Sequence, residues 1–127
     1  VVGGYAVAFH GYPRYTKDLD LWISTDIENA KGMLKVLNDF GFSSLKITED
    51  DFIKMNRIIQ LGYPPNRIDI ITSADGLEFQ ECYKARIQAE IENLKVNFID
   101  LNNLKKNKKT TGRHQDLADL ENLENTE

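Results

Sequence analysis

The chain has a single cysteine, Cys82, among 127 residues. One thiol excludes an internal disulfide and a cysteine-built metal cluster. It lacks an apolar run long enough to span a bilayer and a recognisable secretory leader. A cytoplasmic protein without membrane contact is therefore the expectation. It has no excess of positive charge either: 16 basic against 20 acidic residues give a net charge of −4. No global basic field announces nucleic acid, and any RNA contact would have to be local. There is no Pro/Ser-rich linker, internal repeat or low-complexity tract. The length then implies one domain over residues 1–127 with a moderate core. The sequence opens at Val1-Val2-Gly3 without a methionine, so an N-terminal element preceding Val1 is expected to be missing.

The informative stretch is what remains: GGYAVAFHGYPRYTKDLDLW, residues 3–22. Its end, Asp18-Leu19-Asp20-Leu21, reads as a strand. With a side-chain period of two, Asp18 and Asp20 point the same way, with Cα atoms roughly 6.5–7 Å apart. Leu19, Leu21 and Ile23 face the other side and can enter a core. Two carboxylates on one strand face suit a hard cation such as Mg²⁺. Upstream, Gly3-Gly4 precedes an apolar helix expected over residues 5–12, stopped by Gly11 and Pro13. A glycine pair at a helix start lets backbone N–H groups approach a phosphate. His10, near the end of that helix, reads as a capping or partly buried histidine. Arg14 and Lys17 flank the strand start, where cations could hold a triphosphate or offset the acidic residues. A third carboxylate, Asp69, sits in Arg67-Ile68-Asp69-Ile70-Ile71 with apolar neighbours.

Residues 26–40 carry Ile27, Ala30, Leu34 and Leu37 at helical spacing. Thr25 with Glu28 fits a capping box, and Gly41 fits the position just past the helix end. Phe42 to Ile47 reads as a short strand, and Glu49-Asp50-Asp51 as a solvated turn or helix start. Arg57 to Leu61 and Ile68 to Thr72 read as a hairpin around the turn at residues 62–66, which would bring Asp69 beside Asp18 and Asp20. A helix is expected from about Leu77, then strands at Ala89–Ile91 and Lys95–Ile99. A basic helix follows from Leu101 to Lys109, with Lys105, Lys106, Lys108 and Lys109. After Gly112, an acidic amphipathic helix runs from Gln115 to Glu124 with Leu117, Leu120 and Leu123 on its apolar side. The fold class is α/β or α+β: a short, mixed, twisted sheet with helices packed on it.

These segments resemble the DNA-polymerase-β-like nucleotidyltransferase superfamily: a Gly-Gly helix start, an Asp-x-Asp strand and a third carboxylate on a neighbouring strand. The closer likeness is to minimal nucleotidyltransferases related to abortive-infection toxins. It is carried by VGGYAVAFHGYPRYTKDLDLWI, QLGYPPNRIDIITSADGLEF and KKTTGRHQDLADLENL. The resemblance implies the nucleotidyltransferase fold and transfer of a nucleoside monophosphate from a nucleoside triphosphate to an acceptor hydroxyl, with release of pyrophosphate. The acceptor would be a protein, tRNA or a small molecule. It implies two Mg²⁺ ions, or Mn²⁺, held by Asp18, Asp20 and Asp69. Gly3, Gly4, Arg14, Lys17 and Lys108 would contact the nucleotide. Asp116 and Asp119 are expected to act structurally, pairing with Arg113 or holding their helix to the sheet.

Two other enzyme classes with Asp-x-Asp fit less well. A haloacid-dehalogenase-type phosphatase wants Thr or Val two residues after the second Asp, where Trp22 stands, and leaves Gly3-Gly4 unused. A glycosyltransferase normally needs a larger nucleotide-sugar domain. The serious rival is a non-catalytic binding module or antitoxin-like partner protein that keeps the pocket without the chemistry.

Overall fold

The computed structural model describes residues 1–13, 16, 18–42 and 45–125. The protein is a mixed α+β structure with a small mixed sheet. Its elements in chain order are α1 (Gly3–Phe9), β1 (Asp18–Trp22), α2 (Ile27–Asp39), α3 (Glu49–Ile53), β2 (Ile58–Leu61), β3 (Arg67–Ile71), α4 (Phe79–Lys84), β4 (Ile87–Ile91), β5 (Leu94–Phe98), α5 (Leu101–Thr111) and α6 (His114–Glu124). Three strands form the main sheet in the order β1-β3-β2. β1 runs parallel to β3, and β2 runs antiparallel to it as the expected hairpin. β4 and β5 form a separate antiparallel pair.

Strand alternation divides the main sheet. Ile68 and Ile70 of β3, with Ile59 and Leu61 of β2, meet Ala30 and Leu37 of α2 and Phe52 of α3 in one apolar cluster. The other face carries Asp18, Asp20 and Trp22 from β1 and Arg67, Asp69 and Ile71 from β3. Trp22 and Ile71 lie against a second cluster of Val2, Ala6, Val7, Ile99, Leu104 and Leu123. That cluster joins α1, α5 and α6 beside the carboxylates. Val2 also makes an antiparallel bridge to Asp20, its N–H donating to the Asp20 carbonyl at 3.0 Å. The residues before the glycine pair therefore line the edge of β1 away from β3.

Several local expectations shift. α1 begins at Gly3, earlier than residue 5. α2 is capped by Asp26 in place of a Thr25–Glu28 box: Asp26 Oδ1 accepts from the Asn29 N–H at 2.8 Å, and the Ser24 hydroxyl donates to Asp26 Oδ2. No strand is found among the described residues of the Phe42 to Ile47 segment. The reason is the end of α2. Gly41, at φ +87°, donates to the Asn38 carbonyl, and Phe42 donates to the Leu37 carbonyl at 2.9 Å. That pair of bonds closes the helix and uses the Phe42 N–H that a strand would need. Glu49-Asp50-Asp51 does open a helix, its start tied by the Thr48 N–H donating to Asp51 Oδ2 at 2.8 Å. His10 is partly buried, its Nε2–H donating to the Ile99 carbonyl at 2.7 Å.

Phe52 is fully buried beneath β2 and β3. Replacing it with alanine removes the centre of that cluster from a helix of only five residues. Phe52→Ala is expected to cost about 3–5 kcal/mol, read as a lowered urea midpoint at unchanged slope.

Candidate active site

The parallel register sets Asp20 directly opposite Asp69, and Asp18 opposite Arg67. All four side chains line one cavity of about 870 Å³, within the size range of small-molecule sites. β2 adds Ile58 and Gln60 to the wall, α1 adds Gly3 and Gly4, and the α5–α6 corner adds Lys108, Arg113 and Asp116. The hairpin and the two alternating strands thus bring Asp18, Asp20 and Asp69 to one surface.

Gly3 is fixed there by two constraints. Its φ is +67°, and a Cβ built on it would overlap Asp20 Oδ2, with Asp20 Cγ at 3.0 Å. Only glycine allows the backbone to lie this close to the carboxylate. No side chain caps the start of α1.

The electrostatics are those of crowded carboxylates around one guanidinium. Arg67 Nη2 donates to Asp18 Oδ2 at 2.5 Å and to Asp69 Oδ2 at 3.0 Å. Arg67 Nε lies 2.9 Å from Asp69 Oδ1, but off the N–H axis, so neither atom completes a hydrogen bond. Asp18 Oδ1 is likewise buried without a hydrogen-bond partner. Asp69 itself is 7% exposed. Burial, then the charges of Asp69 and Asp18, push the Asp20 carboxyl up to about 6; Lys108 and Arg67 only partly offset them. The hydrogen bond to Asp69 raises the pKa of Arg67.

Whether these residues suit a divalent cation can be judged from their oxygens. Two buried carboxylate oxygens have no hydrogen-bond donor, and the donor set is all oxygen, as Mg²⁺ prefers. As the side chains stand, no group of three or more His, Cys, Asp or Glu among the described residues converges on a metal position. The positive charge between Asp18 and Asp69 is that of Arg67. The donor chemistry fits; the arrangement requires Arg67 to yield its place.

Lys108 lines the cavity but is 5% exposed. Its Nζ lies 3.2 Å from Asp116 Oδ1 and 3.0 Å from Asp119 Oδ2. Its ammonium is therefore held by two carboxylates of α6. Asp116 also accepts from Arg113 Nε at 2.7 Å. The two aspartates thus do pair with Arg113 and Lys108, but they tie α6 to α5 where a tie to the sheet was the alternative expected. The inward face of α6 is correspondingly Asp116, Asp119, Leu120 and Leu123, with Leu117 turned 49% exposed. Arg67 and Gln60 are cavity residues to which the sequence reading assigned no role; Arg67 was visible as the residue two before Asp69, on the same strand face. Arg14 and Lys17 lie outside the described residues.

No family model matches the chain, and no curated protein does.

Burial raises the Asp116 carboxyl, but hydrogen bonds from Arg113 and Thr111 and the Lys108 charge outweigh it and bring it down to about 2. A carboxyl depressed in the folded state stabilises fully above its unfolded pKa, near 3.8, and loses that contribution as pH falls toward 2. Asp116→Asn should therefore melt well below the parent at pH 7, with the gap narrowing between about pH 4 and pH 2. Parallel melting curves across that range check it; a constant gap would place the cost outside the ion pairs.

Proposed function

We propose that the chain is a metal-dependent nucleotidyltransferase of the DNA-polymerase-β-like type, moving a nucleoside monophosphate from a nucleoside triphosphate to an acceptor hydroxyl. One observation carries the reading: Asp20 lies opposite Asp69 with Asp18 on the same face, in a cavity whose wall includes Gly3 and Gly4. The nucleotidyltransferase fold and the Mg²⁺ requirement belong to the same proposal. A cytoplasmic location and an acceptor that is a protein, tRNA or a small molecule are parts of the same proposal.

Asp18, Asp20 and Asp69 would hold the Mg²⁺ ions, which would neutralise charge building on the transferred phosphoryl group. The rest falls to the chain. Gly3, lying against Asp20, and Gly4 would offer backbone to a phosphate along a stretch of cavity wall where neither carries a side chain. Asp69 would orient the acceptor hydroxyl and take its proton. The acceptor oxygen bonds to the α-phosphorus, the bond to the β-phosphate oxygen breaks, and pyrophosphate leaves. Arg67, paired here with Asp18 and Asp69, would serve phosphate oxygens wherever those carboxylates held cations in its place. Lys108 keeps α6 against the cavity and adds positive potential at Asp20.

One observation favours a second reading. Arg67 already pairs with both Asp18 and Asp69, an arrangement that serves a nucleotide-binding module without chemistry. Metal dependence separates the two. Incubated with each α-labelled nucleoside triphosphate, Mg²⁺ and cell extract, the transferase labels an acceptor and releases pyrophosphate, and EDTA abolishes both. A binding module retains nucleotide and transfers nothing. Asp69→Asn is expected to keep triphosphate binding by calorimetry and to lose transfer by about 10²–10⁴-fold.

The crowding of charge gives a further expectation. Asp20→Asn removes a partly buried carboxylate repelled by Asp18 and Asp69, so in EDTA at pH 7 it should melt no lower than the parent. Mg²⁺ with triphosphate at a hundred times the dissociation constant stabilises the parent by about 2.7 kcal/mol. The variant should lose most of that gain. A variant destabilised in EDTA that still gains as much as the parent would remove Asp20 from the metal site.

A further inference from the structure

The sequence Ile87-Gln88-Ala89-Glu90-Ile91 alternates strictly, and so does Leu94-Lys95-Val96-Asn97-Phe98. Paired as β4 and β5, they set Ile87 against Phe98, Ala89 against Val96 and Ile91 against Leu94. One face of this hairpin is thus wholly apolar and the other polar. The closing residues Glu92 and Asn93 have φ of 49° and 69°, as a two-residue hairpin turn requires. A free two-stranded sheet is marginal in water. This one is anchored at its base by Phe98 stacked on Phe9, 4.0 Å between ring centroids. Ile87, opposite Phe98, is 42% exposed, and toward the turn the face is open, with Ile91 45% and Leu94 67% exposed.

The two edges of the hairpin differ. On the β5 side the edge is engaged at its base: Val1 donates to the Asn97 carbonyl at 2.7 Å, and the Ile99 N–H donates to the Val1 carbonyl at 3.0 Å. These bonds also fix which backbone groups point where. Since Asn97 and Ile99 face away from β4, Leu94, Val96 and Phe98 bond to it, and the outward groups of β4 belong to Gln88 and Glu90. Among the described residues no strand pairs with that edge. β4 contains no Lys, no Pro and no glycine, and Glu90 is its one charge.

What fits this edge is its own reverse. We propose that β4 is the seam of a two-fold homodimer, pairing antiparallel with β4 of a second copy about Ala89. In that register the Gln88 and Glu90 backbones of each copy exchange hydrogen bonds with Glu90 and Gln88 of the other. Ile87 lies beside the second copy's Ile91 on the apolar face. On the polar face Gln88 meets Glu90 and Arg86 comes toward Glu92, so opposite charges approach; Glu90 and its own copy stand only diagonally, each directly opposite Lys95 of its own β5. Arg86 is held at the foot of β4, its Nη1 donating to the Tyr83 carbonyl at 2.7 Å and its guanidinium lying over the Tyr83 ring. A register centred on Glu90 would set that carboxylate against its own copy, and one centred on Gln88 would leave Ile91 beyond the paired strand. A single isologous contact closes on itself, giving a dimer with a four-stranded sheet and no further growth from this edge.

Sedimentation equilibrium of the whole chain over a wide concentration range tests the proposal through Gln88, whose side chain is exposed. The parent is expected to show a reversible monomer–dimer equilibrium. Gln88→Glu places two symmetric like-charge pairs across the seam and should weaken the dimer roughly two- to thirtyfold. Gln88→Lys places two opposite-charge pairs there and should tighten it by a similar factor. Far-UV circular dichroism of the dilute monomers should be the same for all three. A parent monomeric throughout overturns the proposal, as would an edge that accepts only a strand of a different protein. So does a dimer indifferent to both substitutions, which must associate through another surface.

Discussion

Asp20 and Asp69 face each other across a parallel strand pair, with Asp18 two residues away on the same side. Three carboxylates so placed repel one another, and burial makes the repulsion stronger than it would be in water. The sheet tolerates them because Arg67, on β3 itself, reaches two of the three. The remaining tension falls on Asp20, whose carboxyl is pushed up to about 6. Everything around this group follows from accommodating it. The opposite sheet face is apolar and clamped by α2 and α3. α1 enters through a glycine because no side chain fits beside Asp20. The α5–α6 corner brings a second cation, Lys108, close enough to be felt at Asp20.

Lys108 illustrates how an ion pair can be structural and electrostatic at once. Its two partners are on α6, so its charge is balanced locally and its burial is made bearable. It still faces the cavity, where its field offsets part of the carboxylate repulsion. The same residues therefore hold the C-terminal helices together and condition the site, and the two roles cannot be separated by removing either partner.

Much of this was legible in the sequence because strands have a period of two. Asp18, Asp20 and Asp69 could be placed on one face from alternation alone, and the hairpin of β2 and β3 from the turn at residues 62–66. What alternation does not give is the occupant of the space between carboxylates. Arg67 shares the face of Asp69, but whether it points to solvent or across to Asp18 depends on the neighbouring strand's register, which is a tertiary fact. Lys108 was singled out as a cation for phosphate. Its engagement by Asp116 and Asp119 depends on how α5 and α6 cross after Gly112, which periodicity leaves open. Thr25 gave way to Asp26 as the cap of α2 because both are good capping residues and one position of phase decides between them. Phe42 was read as strand for its apolar neighbourhood, yet its N–H closes the end of α2, a competition that composition does not resolve.

The two apolar clusters draw on the chain very differently. The one under α2 and α3 uses residues 30 to 70, a continuous stretch. The one beside the carboxylates joins Val2, Ala6 and Val7 to Ile99, Leu104 and Leu123. During synthesis the first can assemble while the C-terminal helices are still inside the ribosome; the second has to wait for them. A growing chain therefore carries its sheet and its three aspartates before it owns the wall that encloses them. The wall gains Lys108 from α5 and Asp116 from α6 last, so a chain synthesised only as far as β5 carries the three aspartates on an open sheet face.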